Sequence, residues 1–497
     1  MLRRSPQLFA PLAFLHQSSY VNGEFISKGD GGEPLTVKDP SNGDVLGTVP
    51  NCSKAQVKDT IACAAEAQEK WAGLLARQRA LIVRKWGDLI MQNTKPLAEL
   101  LSLESGKPMG EALQENAYSA QFAEWYSCEA ERICGDVLQP FRAGVRPVVY
   151  KRPVGVVGII TPWNFPSAMI TRSAAGALAA GCSVVLKPSE LTPFSALALA
   201  ELAEQAGVPR GVFNVVTGDA KPVGEALTES DTVRKLCFTG STRTGKVLMR
   251  ACVDTVKKVS MELGGNAPFI IFPDADLDLA VAGAMACKFR NSGQTCICAN
   301  RFFVHETIQD EFTEKLINAV KKLKVGQGIK EGVNMGPVIT RSSADRLRGV
   351  VEAASKAGNE IITPNNLELS SAEEKEGRFV TPTIVRGVKH CDPCVSDELF
   401  GPVLPIMSFS TTDEVIHKAN DTTAGLAAYI YTSDYKKQWT VPERLQYGMV
   451  GVNEGAISSP IAPFGGVKES GLGRDGSKYG IEAFVDICYH LHGGNIA

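Results

Sequence analysis

One cysteine, Cys296, stands in a sequence setting that suits a nucleophile. It follows a Gly-Gln-Thr turn, and Arg290 lies a few residues before it. A thiolate nucleophile needs a tuned, partly exposed position. Earlier in the chain, Glu262 is set between apolar residues and a Gly-Gly bend, and a carboxylate beside apolar neighbours can act as a general base. The pair predicts a cysteine that attacks a carbonyl and a glutamate that later activates water.

Asn164 is a candidate third member of this group. It belongs to the segment Thr161-Pro-Trp-Asn-Phe-Pro, which follows a short apolar strand. An Asn amide and the backbone N–H of Cys296 could together stabilise an oxyanion. The structural alternative is that Asn164 simply caps a Pro-Trp turn.

A second group of polar residues follows the next apolar strand, in the segment Lys187-Pro-Ser-Glu190. Ligands of open α/β sheets bind at the carboxyl ends of such strands. A lysine and a glutamate there can bond ribose hydroxyls, and Glu190 would repel a 2′-phosphate, which favours NAD over NADP. The alternative is a strand-end turn with solvated charges.

The segment Gly240-Ser-Thr-Arg-Thr-Gly245 opens a predicted helix after a further strand. Glycines and hydroxyls at a helix N-terminus can receive a phosphate group. The segment does not have the GxGxxG spacing, and an ordinary Ser or Thr N-cap explains it almost as well.

Two further cysteine patterns occur in the sequence. Cys298 lies two residues after Cys296, and a strained Cys-x-Cys disulfide would be easily reduced. Cys298 is therefore a candidate redox partner, with a buried small apolar residue as the alternative. Cys391 and Cys394 form a CxxC without a second ligand pair, so no metal is expected. The six histidines show no catalytic pattern, which argues against a cysteine protease.

The elements that must position these residues alternate between strand and helix. Short apolar strands are predicted at 154–160, 183–187, 213–216, 234–238 and 257–261. Such alternation indicates a doubly wound parallel sheet of the nucleotide-binding type. Helices are predicted at 77–93, 109–134, 167–180, 193–206 and 243–252. From residue 267 the alternation restarts, which predicts a second α/β domain carrying Cys296. The strand-like segments 135–151 and 482–492 could pair as an arm between subunits, and 362–378 is predicted to be a surface loop.

Composition sets the broad class of the protein. A length of 497 residues suggests two or three folding units, and 44% hydrophobic residues can supply a large core. The net charge of −2 favours neither nucleic acid nor a membrane surface as a partner. Thirteen scattered cysteines predict reduced thiols in a reducing compartment.

The N-terminus has a different composition. Residues 1–19 contain two arginines and no acidic residue, which is typical of an organelle import peptide. We therefore expect a targeting leader and a mitochondrial matrix location, with a disordered leader and a cytoplasmic location as the second choice.

Taken together, these segments resemble the aldehyde dehydrogenase family over residues 20–492. The motifs around Glu262 and Cys296 agree with that family's active-site signatures, and so do Glu398-Leu-Phe-Gly-Pro402 and Pro463-Phe-Gly-Gly466. Further segments, including Trp163-Asn-Phe-Pro-Ser-Ala-Met-Ile-Thr-Arg172 and Gly451-Val-Asn-Glu-Gly-Ala-Ile-Ser-Ser459, are most similar to the members that oxidise succinate semialdehyde.

The resemblance implies an α/β fold with two doubly wound domains, one NAD-binding and one catalytic, plus a β-strand oligomerisation arm. The expected boundaries are a leader at 1–19, an NAD-binding domain at 20–129 and 152–264, a catalytic domain at 265–464, and an arm at 130–151 and 475–497. It also implies a homotetramer.

The resemblance also implies roles for residues. Cys296, Glu262 and Asn164 are expected to be catalytic. Arg172, Arg290 and Ser458 are expected to hold the substrate's distal carboxylate, a task that suits arginine. NAD is the expected cofactor, and the residues expected to contact it are Thr161, Trp163, Lys187, Ser189, Glu190, Gly240, Ser241, Gly245, Glu398 and Phe400.

Two other functions stay open at this point. The same arginines would serve another carboxylated aldehyde, such as glutarate semialdehyde. A non-catalytic structural relative is also conceivable, although intact Cys296, Glu262 and Asn164 argue against it.

Overall fold

The structure is a computed structural model that describes residues 13–365, 367–390 and 392–494. Most of the expected leader and Cys391 of the CxxC lie outside these residues. Within the described part, no helix is both long enough and apolar enough to cross a membrane.

Strands and helices alternate through most of the chain. The strands are β1 (Ser19–Val21), β2 (Glu24–Ile26), β3 (Leu35–Lys38), β4 (Val45–Val49), β5 (Asp136–Val137), β6 (Val145–Pro153), β7 (Val156–Ile160), β8 (Ser183–Lys187), β9 (Phe213–Val215), β10 (Val233–Thr239), β11 (Lys258–Glu262), β12 (Ala267–Ile271), β13 (Ala299–His305), β14 (Glu360–Ile362), β15 (Thr383–Arg386), β16 (Val403–Phe409), β17 (Ala427–Tyr431), β18 (Met449–Val452), β19 (Gly471–Leu472) and β20 (Val485–Gly493).

The α-helices are α1 (Lys54–Ala72), α2 (Ala76–Gln92), α3 (Thr94–Ser105), α4 (Met109–Ala130), α5 (Ala168–Ala180), α6 (Phe194–Ala206), α7 (Ala220–Glu229), α8 (Thr242–Ala251), α9 (Leu277–Lys288), α10 (Gln309–Val320), α11 (Arg341–Lys356), α12 (Ser371–Glu376), α13 (Pro393–Ser396), α14 (Thr412–Asn420), α15 (Tyr435–Arg444) and α16 (Ser477–Glu482).

The first domain is built on the sheet that the sequence predicts. Its strand order is β19-β11-β10-β7-β8-β9-β1-β2, and the five strands from β11 to β9 are parallel. Helix α5 packs against this sheet, and all of its residues are buried between the sheet and neighbouring helices. Parallel strands that helices cover in this way are buried, so their sequences are continuous apolar runs. The helix ends at Gly181, whose φ of 98° is the left-handed conformation that glycine tolerates.

The second domain contains a seven-stranded sheet in the order β14-β15-β16-β13-β12-β17-β18. Both faces of this sheet are covered. Phe269 and Ile271 of β12 pack in one apolar cluster, whereas the intervening Ile270 packs in the other. Alternate side chains of one strand thus enter two cores, as in a doubly wound domain.

Strands β20, β6 and β5 form a separate three-stranded antiparallel sheet. The sequence-predicted pairing between 135–151 and 482–492 is present, because Val485–Gly493 pairs with Val145–Pro153 over its whole length. This sheet meets the first core at Val485, which is buried there, and it exposes apolar side chains farther along, among them Val137 and Ile487.

Two expected boundaries and one expected loop need correction. Ser19, expected in the leader, is buried and begins β1. Helix α16, expected in the arm, packs on α4 and α5 of the first domain, so the arm begins again only at Val485. The expected loop 362–378 contains α12, which begins with a reciprocal capping box between Ser370 and Glu373. That Ser-x-x-Glu signal was readable in the sequence.

Candidate active site

The carboxyl edge of the first sheet brings the expected site segments together. In the strand registers, Ile160 lies opposite Lys187 and Phe238, and Thr239 lies opposite Glu262. The chain leaves these parallel strands on the same side, so the loops that follow them converge there. The second domain contributes Cys296 to the same place.

Cys296 lies between a short 3-10 turn at Arg290–Gly293 and β13. The chain bends sharply before it, because Asn291 and Ser292 have φ values of 50° and 56°. Unlike Cys298, which is buried, Cys296 is partly exposed. The bend therefore directs one thiol of the Cys-x-Cys pair into open space.

Two cavities meet at that thiol. One has a volume of about 190 Å³ and the other about 250 Å³. Cys296, Phe165 and Met169 line both of them. Such an arrangement can admit two reactants from opposite sides to one sulfur atom.

Burial raises the pKa of the Cys296 thiol to about 12, and Glu398 and Glu262 add to this rise. The Arg172 guanidinium and the backbone N–H of Cys296 lower the same pKa. The positive charge of Arg172 thus favours the thiolate that a nucleophilic reaction needs.

Asn164 is buried beside Cys296 and lines the larger cavity. Its side-chain amide donates one hydrogen bond to the Gln294 carbonyl at 3.0 Å. A primary amide has two N–H donors, so a second N–H remains for an oxyanion formed at the sulfur. The turn-capping alternative does not describe the observed contact, which joins the first domain to the second.

Glu262 ends β11 and lines the larger cavity. Both of its carboxylate oxygens are buried, and neither has a hydrogen-bond partner. Burial raises the pKa of Glu262 well above its usual value, Asp475 raises it further, and Arg172 and Arg474 oppose the rise. A buried carboxylate with free oxygens can accept a proton from water, as a general base must.

The smaller cavity is lined by all three residues expected to bind a carboxylate: Arg172, Arg290 and Ser458. Arg172 is buried, and its guanidinium lies 4.0 Å from the centre of the Phe464 ring. Its Nε and Nη1 have no hydrogen-bond partner, and neither does the buried Nε of Arg290. Buried donors without partners are costly, so this cavity is prepared for an anionic group.

The larger cavity brings together half of the residues expected to contact a dinucleotide: Trp163, Gly240, Ser241, Glu398 and Phe400 line it. The rings of Trp163 and Phe400 meet edge to face with centroids 5.6 Å apart. Ser241 caps α8 by accepting from the Thr244 N–H at 3.3 Å. Ser241 is therefore an N-cap, as the alternative predicts. Gly240 and Ser241 at the start of this helix also line the cavity.

The other expected cofactor residues are not part of the cavity lining. Lys187 is buried and donates to Glu190 at 3.1 Å and to the Pro188 carbonyl at 3.0 Å, while Glu190 itself is exposed. Ser189 accepts from the Leu191 N–H. Gly245 lets α8 approach the segment that follows β11, because a Cβ there would lie 2.4 Å from a Leu263 methyl carbon.

One buried atom supports the fit to a dinucleotide. Thr161 follows β7 at the sheet edge, and its Oγ1 is buried without a hydrogen-bond partner. Together with Glu398, whose pKa burial raises to about 7, it offers a polar group to a ligand lying across the strand ends.

Several residues of the smaller cavity were not expected from the sequence: Glu111, Gln114, Glu115, Tyr118, Phe165, Met169, Thr295, Ile297 and Phe464. Four of them come from α4, which the sequence predicts only as a long helix. The available signal was Glu111 and Glu115, two acids one helical turn apart on a helix whose buried residues are mostly small or apolar.

Cys298 is not directed toward either cavity. Its Sγ faces the Lys288 carbonyl at 3.7 Å and the Ala299 carbonyl at 3.6 Å, and both Cys296 and Cys298 are free thiols. Among the described residues no group of three or more metal-ligating side chains occurs.

Comparison with known proteins identifies the family. The model described as "Aldehyde dehydrogenase family" matches residues 25–488. This chain belongs to the aldehyde dehydrogenase family. Members use NAD(P), so the chain is an oxidoreductase that acts on an aldehyde.

Similar aldehyde dehydrogenases align with this chain along almost their whole length. "Succinate-semialdehyde dehydrogenase [NADP(+)] GabD" of Escherichia coli is 50% identical, covering 95% of this chain and 97% of that protein. "Glutarate-semialdehyde dehydrogenase" of Pseudomonas putida is 48% identical, covering 95% and 97%. The crystal structure of succinate-semialdehyde dehydrogenase from Burkholderia pseudomallei matches with a TM-score of 0.94 at 47% identity, covering 97% and 99%. The aldehyde dehydrogenase fold expected from the sequence is thereby confirmed.

Proposed function

We propose that this chain oxidises succinate semialdehyde to succinate with NAD, through a thioester on Cys296. One observation supports the substrate assignment. The cavity that ends at Cys296 is lined by Arg172 and Arg290, whose side chains have buried nitrogens without hydrogen-bond partners. A carboxylate satisfies such donors with charged hydrogen bonds, and arginine presents them in a planar fork. An aldehyde with a distal carboxylate therefore matches both ends of the cavity.

In the proposed reaction, Arg172, Arg290 and Ser458 hold the carboxylate and set the aldehyde carbon against the sulfur of Cys296. The thiolate forms a bond to that carbon, and the carbonyl electron pair moves to oxygen.

The Asn164 amide and the Cys296 backbone N–H bond this oxyanion. Trp163, Ser241, Glu398 and other residues of the larger cavity would hold NAD, which would supply the hydride acceptor for oxidation of the thiohemiacetal to a thioester. Glu262 then takes a proton from water, the resulting hydroxide attacks the thioester, and succinate and the free thiol are released.

A screen of NADH release over neutral and carboxylated aldehydes tests this proposal. We expect kcat/KM for succinate semialdehyde to exceed that for propanal by at least tenfold, because one charged hydrogen bond contributes on the order of 1.5–3 kcal/mol. Equal rates on neutral and carboxylated aldehydes would contradict the substrate assignment. No NADH with any aldehyde would favour a non-catalytic relative instead.

Glutarate semialdehyde is a second candidate, because the similar Pseudomonas putida protein is named for it. The same arginines would bind its carboxylate, and the two substrates differ by one methylene. One methylene is worth about 1–3 kcal/mol in a binding pocket. The ratio of kcat/KM for the two semialdehydes therefore decides between them.

The preference for NAD rests on Glu190. Its exposed carboxylate stands after β8 and pairs with Lys187, where a negative charge would repel a 2′-phosphate. The similar Escherichia coli protein carries NADP(+) in its name, so both cofactors belong in the test. We expect wild-type protein to prefer NAD and Glu190→Gln to gain relative activity with NADP. A wild-type preference for NADP would contradict the assignment.

Location and assembly are also proposals. The composition of residues 1–19 supports import into the mitochondrial matrix, which fusion of this segment to a fluorescent protein would test; retention in the cytoplasm would contradict it. The exposed apolar side chains of the arm, such as Ile487 and Tyr489, support a homotetramer. Sedimentation of the wild-type protein at a monomer mass would contradict that assembly.

A further inference from the structure

A buried ion pair lies directly behind the segment that carries Asn164. Lys107 precedes α4, and Glu115 lies on its second turn. Their side chains are 0% and 1% exposed, and Lys107 Nζ donates to Glu115 Oε2. Taking two charges out of water is expensive, and replacing such a pair by apolar residues is often neutral or stabilising. The pair therefore invites an explanation other than stability of the fold.

Glu115 uses its second oxygen on the start of α5. Its Oε1 accepts from the Ser167 N–H at 2.9 Å and from the Ala168 N–H at 3.2 Å. These two donors belong to the first turn of the helix, where backbone N–H groups have no partner within the helix. Glu115 thus fixes the point at which the chain turns from the Asn164 segment into α5.

Lys107 fixes the beginning of the same segment. Its Nζ donates to the Asn164 carbonyl at 2.9 Å and lies 4.1 Å from the centre of the Phe165 ring. From the second domain, Asn291 Nδ2 donates to the same carbonyl at 3.0 Å. The backbone of Asn164 is therefore held from both domains, and its side chain leaves that fixed point toward Cys296.

We propose that Lys107 and Glu115 are positioning residues that act through the Asn164 backbone to aim its amide at the oxyanion formed on Cys296. This inference rests on the proposed function for the role of Asn164. It extends to any aldehyde, because the oxyanion is common to all of them.

Lys107→Met and Glu115→Gln test the proposal. We expect kcat to fall by on the order of 10- to 100-fold, as small misplacements of catalytic groups do, with little change in KM. The fall is expected for succinate semialdehyde and propanal alike. Glu115 also lines the smaller cavity, so the expectation for KM applies to Lys107→Met, and Glu115→Gln is judged by kcat. In an Asn164→Ala background, Lys107→Met should cost almost nothing further, because residues that act through one another are not additive. Additive losses would overturn the proposal.

Glu104→Gln is the matched control. Glu104 is also a buried carboxylate at a helix start, where it accepts from the Phe194 and Ser195 N–H groups at 2.8 and 2.9 Å. It contacts α6 and not the Asn164 segment, so we expect it to lower the unfolding temperature without lowering kcat. A loss of kcat equal to that of Glu115→Gln would show that any buried cap has this effect and would overturn the proposal.

Two further measurements show whether a loss of kcat in these variants comes from general unfolding. Lys107→Arg keeps the charge and should therefore retain part of the kcat that Lys107→Met loses. A loss of kcat in Lys107→Arg as large as that in Lys107→Met would contradict the positioning role. The rate of Cys296 alkylation by iodoacetamide, which needs no oxyanion donor, should stay near wild type. If Lys107→Met does not fold, the isosteric Glu115→Gln carries the test alone. Failure of the substrate proposal is distinguishable, because it concerns only the wild-type preference between aldehydes.

Discussion

Gly265 passes so close to Cys296 that a Cβ on Gly265 would lie 2.3 Å from the Cys296 carbonyl oxygen. The glycine belongs to the bend that follows Glu262, so this contact joins the two segments that carry the reactive thiol and the carboxylate. The Gly265 N–H also donates to Glu398 at 3.3 Å. A residue without a side chain therefore sets the distance between the nucleophile loop and the base strand.

Gly265→Ala should lower kcat by on the order of 100-fold or more, because a displacement of about 1 Å can cost that much. The rigid backbone atom opposite leaves the added methyl group no room. Gly349→Ala is the control, since a Cβ on this α11 glycine meets nothing within 4 Å. Steady-state kinetics of both variants decide the matter, and wild-type kcat in Gly265→Ala would contradict the role of the contact.

The fold was largely readable from the sequence because strand and helix periods changed at turns that glycine and proline mark. Helix α5 was expected to end at Gly181 and does. Boundaries were less certain where packing decides them: α4 was expected to reach residue 134 and ends at Ala130. The short α16 was expected to be part of the arm. Its six residues have no pattern that assigns them to a domain, and only their contacts with α4 and α5 place the helix on the first domain.

The residues that we propose to be catalytic were readable for a different reason. Cys296, Glu262 and Asn164 each stand in a short motif beside a strand end, so chain-local signals predict them. The charged residues behind them were not readable. Lys107 precedes Asn164 by 57 residues, and nothing local shows that its ammonium group reaches the Asn164 carbonyl. Such long-range contacts follow only from the packed structure.

Cys296→Ala should abolish turnover, whereas Glu262→Gln should still release a burst of NADH and then stall. The first variant lacks the nucleophile, while the second forms the thioester but cannot activate water. Rapid mixing with succinate semialdehyde measures the burst, and mass spectrometry of Glu262→Gln should show the acyl adduct on the Cys296 peptide. Absence of both burst and adduct would falsify the assignment of Glu262 to deacylation.

Arg290→Ala should raise KM for succinate semialdehyde about 10- to 150-fold, since a hydrogen bond to a charged group contributes about 1.5–3 kcal/mol. Propanal has no carboxylate, so its KM should hardly change. Arg77→Ala serves as a control, because Arg77 is exposed on α2 and lines neither cavity. Equal increases in KM for both aldehydes would remove Arg290 from the carboxylate site.

Cys298→Ala should abolish the reversibility of peroxide inactivation if a disulfide with Cys296 protects the oxidised enzyme. In the structure the Cys298 sulfur faces the core, so the pair must rearrange before it can close. We therefore expect slow, thiol-reversible inactivation of the wild type and faster irreversible loss in Cys298→Ala. Cys128→Ala, which removes an exposed free thiol, should behave as wild type. Unchanged reversibility in Cys298→Ala would contradict the switch.

Glu262→Gln should also become progressively more stable than wild type as pH rises. Burial raises the pKa of Glu262 in the folded protein, so the folded state retains a proton that the unfolded state releases above about pH 4.3. The contribution of Glu262 to the stability of the wild type must then fall as pH rises between its unfolded and folded pKa values, and glutamine removes that contribution.

Urea unfolding at pH 5.5, 7.0 and 8.5, at one protein concentration, measures the difference between the two proteins. Glu352→Gln is the opposite control, because its exposed carboxylate pairs with Lys356, and this hydrogen bond lowers the pKa of Glu352. That variant should gain no stability as pH rises. A difference between Glu262→Gln and wild type that stays constant from pH 5.5 to 8.5 would mean that the buried carboxylate titrates normally, and the cavity would then lack the low polarity on which its role as a base depends.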